Sequence, residues 1–229
     1  MKVFIYAVER EAKPLLDIFK AKFGKKVGQL EIYSANKQEC HFCVCLGGIG
    51  KVASSSSISL LESAIHEPIE EIINVGVAGS INPDKVGILD AVISTFLAQH
   101  DVDTTPVGDP AGLISGINKV YFDADENIRK KLVKAASKAG VKPVEGIVAS
   151  GDQFIAADEQ RKRIAGTFGA ITVDMEAAAE AQVAYMLGIP FCSLKVISDA
   201  KDHAKEYREN EKKAAELAAK IIIEYLQMD

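Results

Sequence analysis

The chain opens Met1-Lys2-Val3-Phe4-Ile5-Tyr6-Ala7-Val8-Glu9-Arg10-Glu11-Ala12-Lys13-Pro14, and the reading of this stretch decides the fold class. Val3–Val8 is a short apolar run rich in β-formers, and it reads as a first strand. Pro14 is tolerated in a first helical turn, so a helix is expected to begin near Glu11 or Ala12. The same alternation continues downstream. Further strands are expected at Leu30–Ser34, His41–Leu46, Glu71–Val75, Ala91–Leu97, Pro143–Ala149 and Phe191–Ser198. Between them Ile128, Leu132, Ala135, Ala136 and Ala139 recur at helical spacing, with Asp123 or Asp125 as cap and Gly140 as stop. A last helix carries Ala214, Ala218, Ile221, Ile222 and Tyr225 on one stripe, which is core packing. Alternating elements of this kind indicate an α/β fold with helices on both faces of a largely parallel sheet. No linker, repeat or low-complexity stretch interrupts residues 1–229, so one domain is expected.

Composition narrows the function classes. The 229 residues are 48% hydrophobic and 26% charged, the balance of a globular chain with a real core. A net charge of −5 argues against nucleic acid or an anionic membrane as the main partner. The apolar runs fall short of the roughly 18 residues that a membrane span needs. The N-terminal run is too short for a secretory core and lacks a cleavage site, so a cytoplasmic location is expected. Cys40, Cys43 and Cys45 form a C-x-x-C-x-C cluster, but no second pair completes tetrahedral zinc. The segment reads better as a buried strand in which cysteine acts as a small hydrophobe. No metal and no cofactor are expected.

Several segments carry chemistry. Gly47, Gly48 and Gly50 follow a strand and open a helix, but neither a Walker A loop nor a dinucleotide fingerprint is completed. Either a purely structural turn or a close approach to a ligand fits them. Glu9 and Glu11 follow the first strand, and Asp199 ends the run Phe191–Ser198. Acids at the carboxyl ends of strands stand where open α/β sheets bind ligands, although first-turn acids also serve the helix dipole. Val173-Asp174-Met175-Glu176-Ala177-Ala178 places two acids around a methionine at a helix start. An acid such as Asp199 in a cleft is expected to keep a proton through desolvation and nearby acids. His100–Lys119, with Pro106 and Pro110 among glycines, is the least regular stretch, and loops of that length are often functional.

Taken together, these segments resemble the 5′-methylthioadenosine/S-adenosylhomocysteine nucleosidases of the purine nucleoside phosphorylase-like superfamily. The carrying motifs are Ala7-Val8-Glu9-Arg10-Glu11, Gly47-Gly48-Ile49-Gly50-Lys51-Val52, Asn74-Val75-Gly76-Val77-Ala78-Gly79 and His100-Asp101-Val102-Asp103. Ser150-Gly151-Asp152-Gln153-Phe154-Ile155, Val173–Ala177 and Ile197-Ser198-Asp199 complete them, in the family's order over essentially the whole chain. The resemblance implies a mixed central sheet flanked by helices on both faces. It implies a homodimeric hydrolase of the N-glycosidic bond of 5′-thioadenosines, with the partner closing the 5′ end of the site. By motif match Glu11 would take a proton from the attacking water and Asp199 would protonate or hydrogen-bond adenine N7. Ser198 would orient Asp199, Glu176 would hold the ribose hydroxyls, and Met175 would pack beneath the ribose. Phe154 would stack on adenine while the Ile155 backbone reads its edge. Ile49, Val77 and Asp174 would complete the substrate-binding set. Tyr207 fits either an aromatic lid or a solvent-facing tyrosine.

Two positions depart from the family pattern: Val77 stands where a small hydroxyl residue is common, and Lys195 where an arginine is common. A phosphorylase of the same superfamily would need arginines for phosphate, yet the first turn is acidic and none occurs between Arg10 and Arg129. A silent nucleoside-binding protein would not require the Glu11, Glu176 and Asp199 set. Among methylthioadenosine, S-adenosylhomocysteine, 5′-deoxyadenosine and aminodeoxyfutalosine, the residues express no ranking.

Overall fold

A computed structural model describes residues 1–37 and 40–228. Strand β1 (Lys2–Tyr6) enters helix α1 (Glu9–Phe19), followed by strands β2 (Lys22–Val27), β3 (Leu30–Lys37) and β4 (Cys40–Leu46). Helix α2 (Lys51–Ala64), β5 (Glu71–Ser80) and β6 (Ala91–Gln99) come next. After a loop with one short helical turn at Thr105–Val107, the chain forms β7 (Phe122–Asp123), α3 (Glu126–Lys138), β8 (Pro143–Ser150) and α4 (Asp158–Phe168). It ends with β9 (Thr172–Asp174), α5 (Ala177–Leu187), β10 (Phe191–Asp199) and α6 (His203–Leu226).

The strands form one sheet in the order β10-β6-β8-β9-β5-β1-β4-β3-β2, with β7 beside β6. β5 also pairs with β10, so β5, β10, β6, β8 and β9 close into a ring. β1 runs parallel to β4 and β5, β5 to β10, and β8 to both β6 and β9. The other pairings are antiparallel. The sheet is therefore mixed, and the largely parallel sheet read from alternation alone is corrected. The reason is local: β2 and β3 meet through a tight hairpin, which can only join antiparallel neighbours. β2 escapes a sequence reading because Lys22-Phe23-Gly24-Lys25-Lys26-Val27 is an exposed edge strand without apolar alternation. Its lysines protect that edge from pairing with other chains.

Alternate residues of the central strands face opposite helical layers. Phe4 and Tyr6 of β1 pack with α1, α3 and α6, through Leu15, Leu132, Ile222 and Tyr225. Val3 and Ile5 pack with α2 and α5, through Ile58, Leu61, Ala178 and Ala181. Cys43 and Cys45 lie in this second layer as buried free thiols, in keeping with the strand reading. Asp125 caps α3, its side chain accepting from the Asn127 and Ile128 N–H groups at 2.9 and 3.0 Å.

The start of α1 is a second correction. The Val8 carbonyl accepts from the N–H groups of Glu11 and Ala12, so the helix begins at Glu9 and Pro14 falls in its second turn. The proline forfeits one bond to the preceding turn. In return Glu11 sits within the first turn, buried beside the end of β1.

Phe42 is fully buried, edge-on to Phe4 at 5.6 Å and to Phe19 at 5.1 Å. Phe42→Ala is expected to destabilise the fold by about 3–5 kcal/mol, measured by chemical denaturation.

Candidate active site

β1, β5 and β10 run parallel, so their carboxyl ends share one edge of the sheet. A cleft of about 200 Å³ opens there. Glu11 enters it from α1, Asp199 from the end of β10, and Met175 and Glu176 from the turn between β9 and α5. Ile49 comes from the glycine turn after β4, Val77 from β5, and Phe154 and Ile155 from the loop after β8. Ser198, Asp174 and Tyr207 also line it, so the site residues nominated by the resemblance share this one cleft, whereas Glu9, the other acid after the first strand, is exposed outside it. Tyr207 resolves toward the cleft: its ring lies edge-on to Phe154 at 5.9 Å, and its hydroxyl accepts from Arg10 at 2.8 Å.

Behind the lining is a buried charge cluster. Lys195, in the middle of β10, places its ammonium 2.9 Å from Asp174, with both side chains almost wholly enclosed. Asp174 also accepts from the Ala177 N–H at 3.0 Å and from the Ser150 hydroxyl. It lines the cleft, yet its carboxylate is committed to holding β8, β10 and α5 together. Burial would lower the Lys195 pKa, but Asp174, Glu176 and Glu11 outweigh it and keep the ammonium charged. That single ammonium does not satisfy all the acids around it. Burial pushes Glu11 up to about 7, with Glu176 adding to the rise and Lys195 opposing it. Burial also raises Glu176, and raises Glu180 of α5 well above the usual carboxylate range. Glu180 was hidden in the sequence, because a lone acid in an alanine-rich helix reads as its solvent face. It is instead 1% exposed.

The two outer carboxylates are held by specific contacts. Glu176 accepts from the Gly50 N–H at 3.0 Å, so the glycine turn positions an acid whose helix lies far along the chain. Asp199 accepts from the Ser198 hydroxyl at 2.8 Å, the orienting contact expected from the motif. Gly76 and Gly79 of β5 lie in close approach to two of the acids. A Cβ on Gly76 would stand 3.1 Å from Glu11 Oε2, and one on Gly79 would stand 3.0 Å from Asp199 Oδ2. The charge paired with Asp199 corrects the sequence reading, which expected nearby acids. It is the buried guanidinium of Arg161, from α4, at 3.4 Å. Arg161 also donates to the Ala200 carbonyl at 2.6 Å and to the Ile155 carbonyl at 3.5 Å. No local pattern marks an arginine on a charged helix as buried.

A second network fixes the loop that bears Phe154. Lys51 donates to Asp101 at 2.6 Å and to Gln99 at 3.1 Å, and its backbone N–H donates to Asp152 at 2.7 Å. Asp101 in turn accepts from the Asp152 N–H at 2.9 Å. The glycine turn and the Ser150–Ile155 loop are thereby clamped to each other across the cleft mouth.

The phosphorylase superfamily matches residues 2–227. The chain belongs to that superfamily. It is 34% identical to a 5′-methylthioadenosine/S-adenosylhomocysteine nucleosidase of Actinobacillus succinogenes, over 88% of this chain and 87% of the relative. It is 30% identical to an aminodeoxyfutalosine nucleosidase of Campylobacter jejuni, over 90% and 89% of the two. The crystal structure of the Helicobacter pylori 5′-methylthioadenosine/S-adenosylhomocysteine nucleosidase with butyl-thio-DADMe-Immucillin-A superposes with a TM-score of 0.92 at 28% identity. That match covers 100% of this chain and 99% of the other. Within the phosphorylase superfamily the chain thus stands with the nucleosidases, as its motifs implied.

Two expectations follow from the charge cluster. Lys195→Met leaves Asp174 buried without its counter-ion and should cost about 3–5 kcal/mol in chemical denaturation. Glu11 carries a raised pKa in the folded chain, so its contribution to stability is full at low pH and lost as pH rises through about 7. Glu11→Gln retains the uncharged form. Its stability relative to the parent chain should rise between pH 5 and pH 8 by on the order of 2 kcal/mol.

Proposed function

We propose that the chain hydrolyses the N-glycosidic bond of 5′-thioadenosines, methylthioadenosine and S-adenosylhomocysteine, releasing adenine and the corresponding thioribose. The observation that carries this reading is the convergence of Glu11, Glu176 and Asp199, from three separate parts of the chain, on one cleft with Phe154 at its rim. Adenine leaves poorly as an anion, so an acid at N7 lowers the barrier, and Asp199, oriented by Ser198, is the donor. Phe154 supplies an aromatic face for the base, and the Ile155 backbone reads its edge. As the bond stretches, the ribosyl centre becomes cationic, and the carboxylates of Glu11 and Glu176 stabilise it. Glu176 accepts from the ribose hydroxyls while Gly50 holds it from behind. Met175 packs beneath the ribose, with Ile49 and Val77 at its sides. Glu11 takes the proton of the attacking water, and its pKa of about 7 suits a base that works near neutrality.

Water rather than phosphate as nucleophile is supported by the same charges. The lining carries Glu11, Asp174, Glu176 and Asp199, and Lys195 is engaged with Asp174. A phosphate dianion beside Glu11 and Glu176 would meet like charge. Adenine release is expected without added phosphate or metal; formation of a ribose 1-phosphate product only when phosphate is supplied would favour the phosphorylase reading.

Asp199→Asn retains size and a donor but cannot deliver a proton. It should still bind thioadenosines while turnover falls about 10²–10⁴-fold. In the parent chain kcat/KM should fall as pH drops below about 7, where Glu11 becomes protonated. Glu11→Gln should abolish that limb along with most of the rate.

The reading extends to organisation. Residues 1–229 form one nucleosidase domain, which should unfold in a single calorimetric transition. A homodimer is supported by the His100–Lys119 loop, where Val107 is 80% exposed; sedimentation should give a dimer that loses activity on dissociation. A cytoplasmic location is supported by the four cysteines being free thiols, as a reducing compartment maintains them. Among the described residues no helix is long and apolar enough to cross a membrane.

A further inference from the structure

Arg161 lies in the first turn of α4 and does not line the cleft, yet it is buried and its guanidinium meets both segments that would enclose the base. Its Nη1 donates to the Ala200 carbonyl at 2.6 Å and its Nε to the Ile155 carbonyl at 3.5 Å, while Nη2 faces Asp199 Oδ2 at 3.4 Å. Ala200 is gripped a second time, since its N–H donates to Glu206 of α6 at 2.8 Å. The backbone after Asp199 is thus fixed on both sides of Ala200, and the other carboxyl oxygen of Asp199 is held by Ser198. One guanidinium joins the acid, the backbone behind it and the loop that carries Ile155.

Burial works against the charge of Arg161, and Asp199, Asp158 and Glu206 counter that effect. Packing alone does not call for such a group, because an apolar side chain of similar size often serves a core as well or better. The planar fork does explain it. Three N–H groups of one rigid unit reach three separate acceptors, which an ammonium on a flexible stem cannot reproduce.

The role of this arrangement rests on the nucleosidase reading, in which Asp199 serves adenine N7. In that step the proton leaves the Asp199 carboxyl for N7, the electron pair of the glycosidic C–N bond passes to adenine, and Asp199 is left as a carboxylate. A guanidinium beside a carboxyl favours its charged form. The attraction therefore grows as the proton departs, and an interaction stronger in the transition state than in the ground state raises kcat. We propose that Arg161 is a positioning residue of the leaving-group step: it holds Asp199 against the base-reading loop and stabilises the carboxylate that forms there.

The test is a double-mutant cycle on kcat for methylthioadenosine, with Arg161→Gln and Arg161→Lys each made in the parent chain and in Asp199→Asn. In the parent, Arg161→Gln should lower kcat about 10–10²-fold and change KM by less than about threefold. Arg161→Lys keeps the charge without the fork and should recover part of that loss. In Asp199→Asn no carboxylate forms, so Arg161→Gln should lower the residual kcat by less than about threefold. A purely structural arginine would cost the same factor in both backgrounds. Equal losses overturn the proposal, as does a near-parent kcat in Arg161→Gln; should Arg161→Gln fail to fold, Arg161→Lys carries the same comparison. A parent chain that releases adenine from no thioadenosine overturns the nucleosidase reading itself, whereas an active parent with equal losses overturns the role of Arg161 alone.

Discussion

The ammonium of Lys195 is shared among Asp174, Glu176, Glu11 and Glu180, and the arrangement of the cleft follows from that sharing. A charge enclosed in a protein costs several kcal/mol unless it is paired. Asp174 supplies the pairing, and through the Ala177 N–H and the Ser150 hydroxyl it ties that pair to α5 and β8. The pair holds three elements in register. Burial makes Glu11, Glu176 and Glu180 bind protons more readily than exposed carboxylates do, and the single ammonium opposes that rise without cancelling it. A cleft poor in positive charge, with one acid near neutrality, suits the taking up of a proton and the stabilising of a developing cation. It suits the binding of an anion poorly. Under the proposed reading, acid–base chemistry and the preference for water over phosphate share one electrostatic cause.

Position matters as much as charge. The parallel strands β1, β5 and β10 bring their carboxyl ends to one edge, and β5 lies between the other two with glycine where each acid passes. Side chains at Gly76 or Gly79 would crowd Glu11 or Asp199, so the small residues of β5 set how deeply the acids sit. The other wall is fastened by polar contacts. Gly50 holds Glu176, and the Lys51, Asp101 and Asp152 network holds the loop that carries Phe154. Loops positioned by such a scaffold can carry function without losing geometry.

By itself the sequence determined the class of fold and nominated residues that line the cleft. Apolar runs such as Val3–Tyr6 and Phe191–Ser198 declare buried strands because burial demands them, and the stripe from Ala214 to Tyr225 declares a packed helix for the same reason. The ordered motifs nominated residues of the cleft from Glu11 to Asp199, most of them at a strand end or helix start that local pattern reveals, while Tyr207 stayed open between a lid and a solvent-facing residue. What lay beyond it was of two kinds. β2, β7 and β9 are exposed or only two to six residues long, so they bury too little to leave a periodicity. The beginning of α1 at Glu9 was decided by the Val8 carbonyl, a backbone contact that no propensity encodes. The partners of the charges were decided only by tertiary structure: Arg161 against Asp199, Glu180 within the core, and Arg10 across to Glu211. Periodicity is a property of neighbours along the chain. Which charges meet depends on strand register and helix packing, which join residues far apart in sequence.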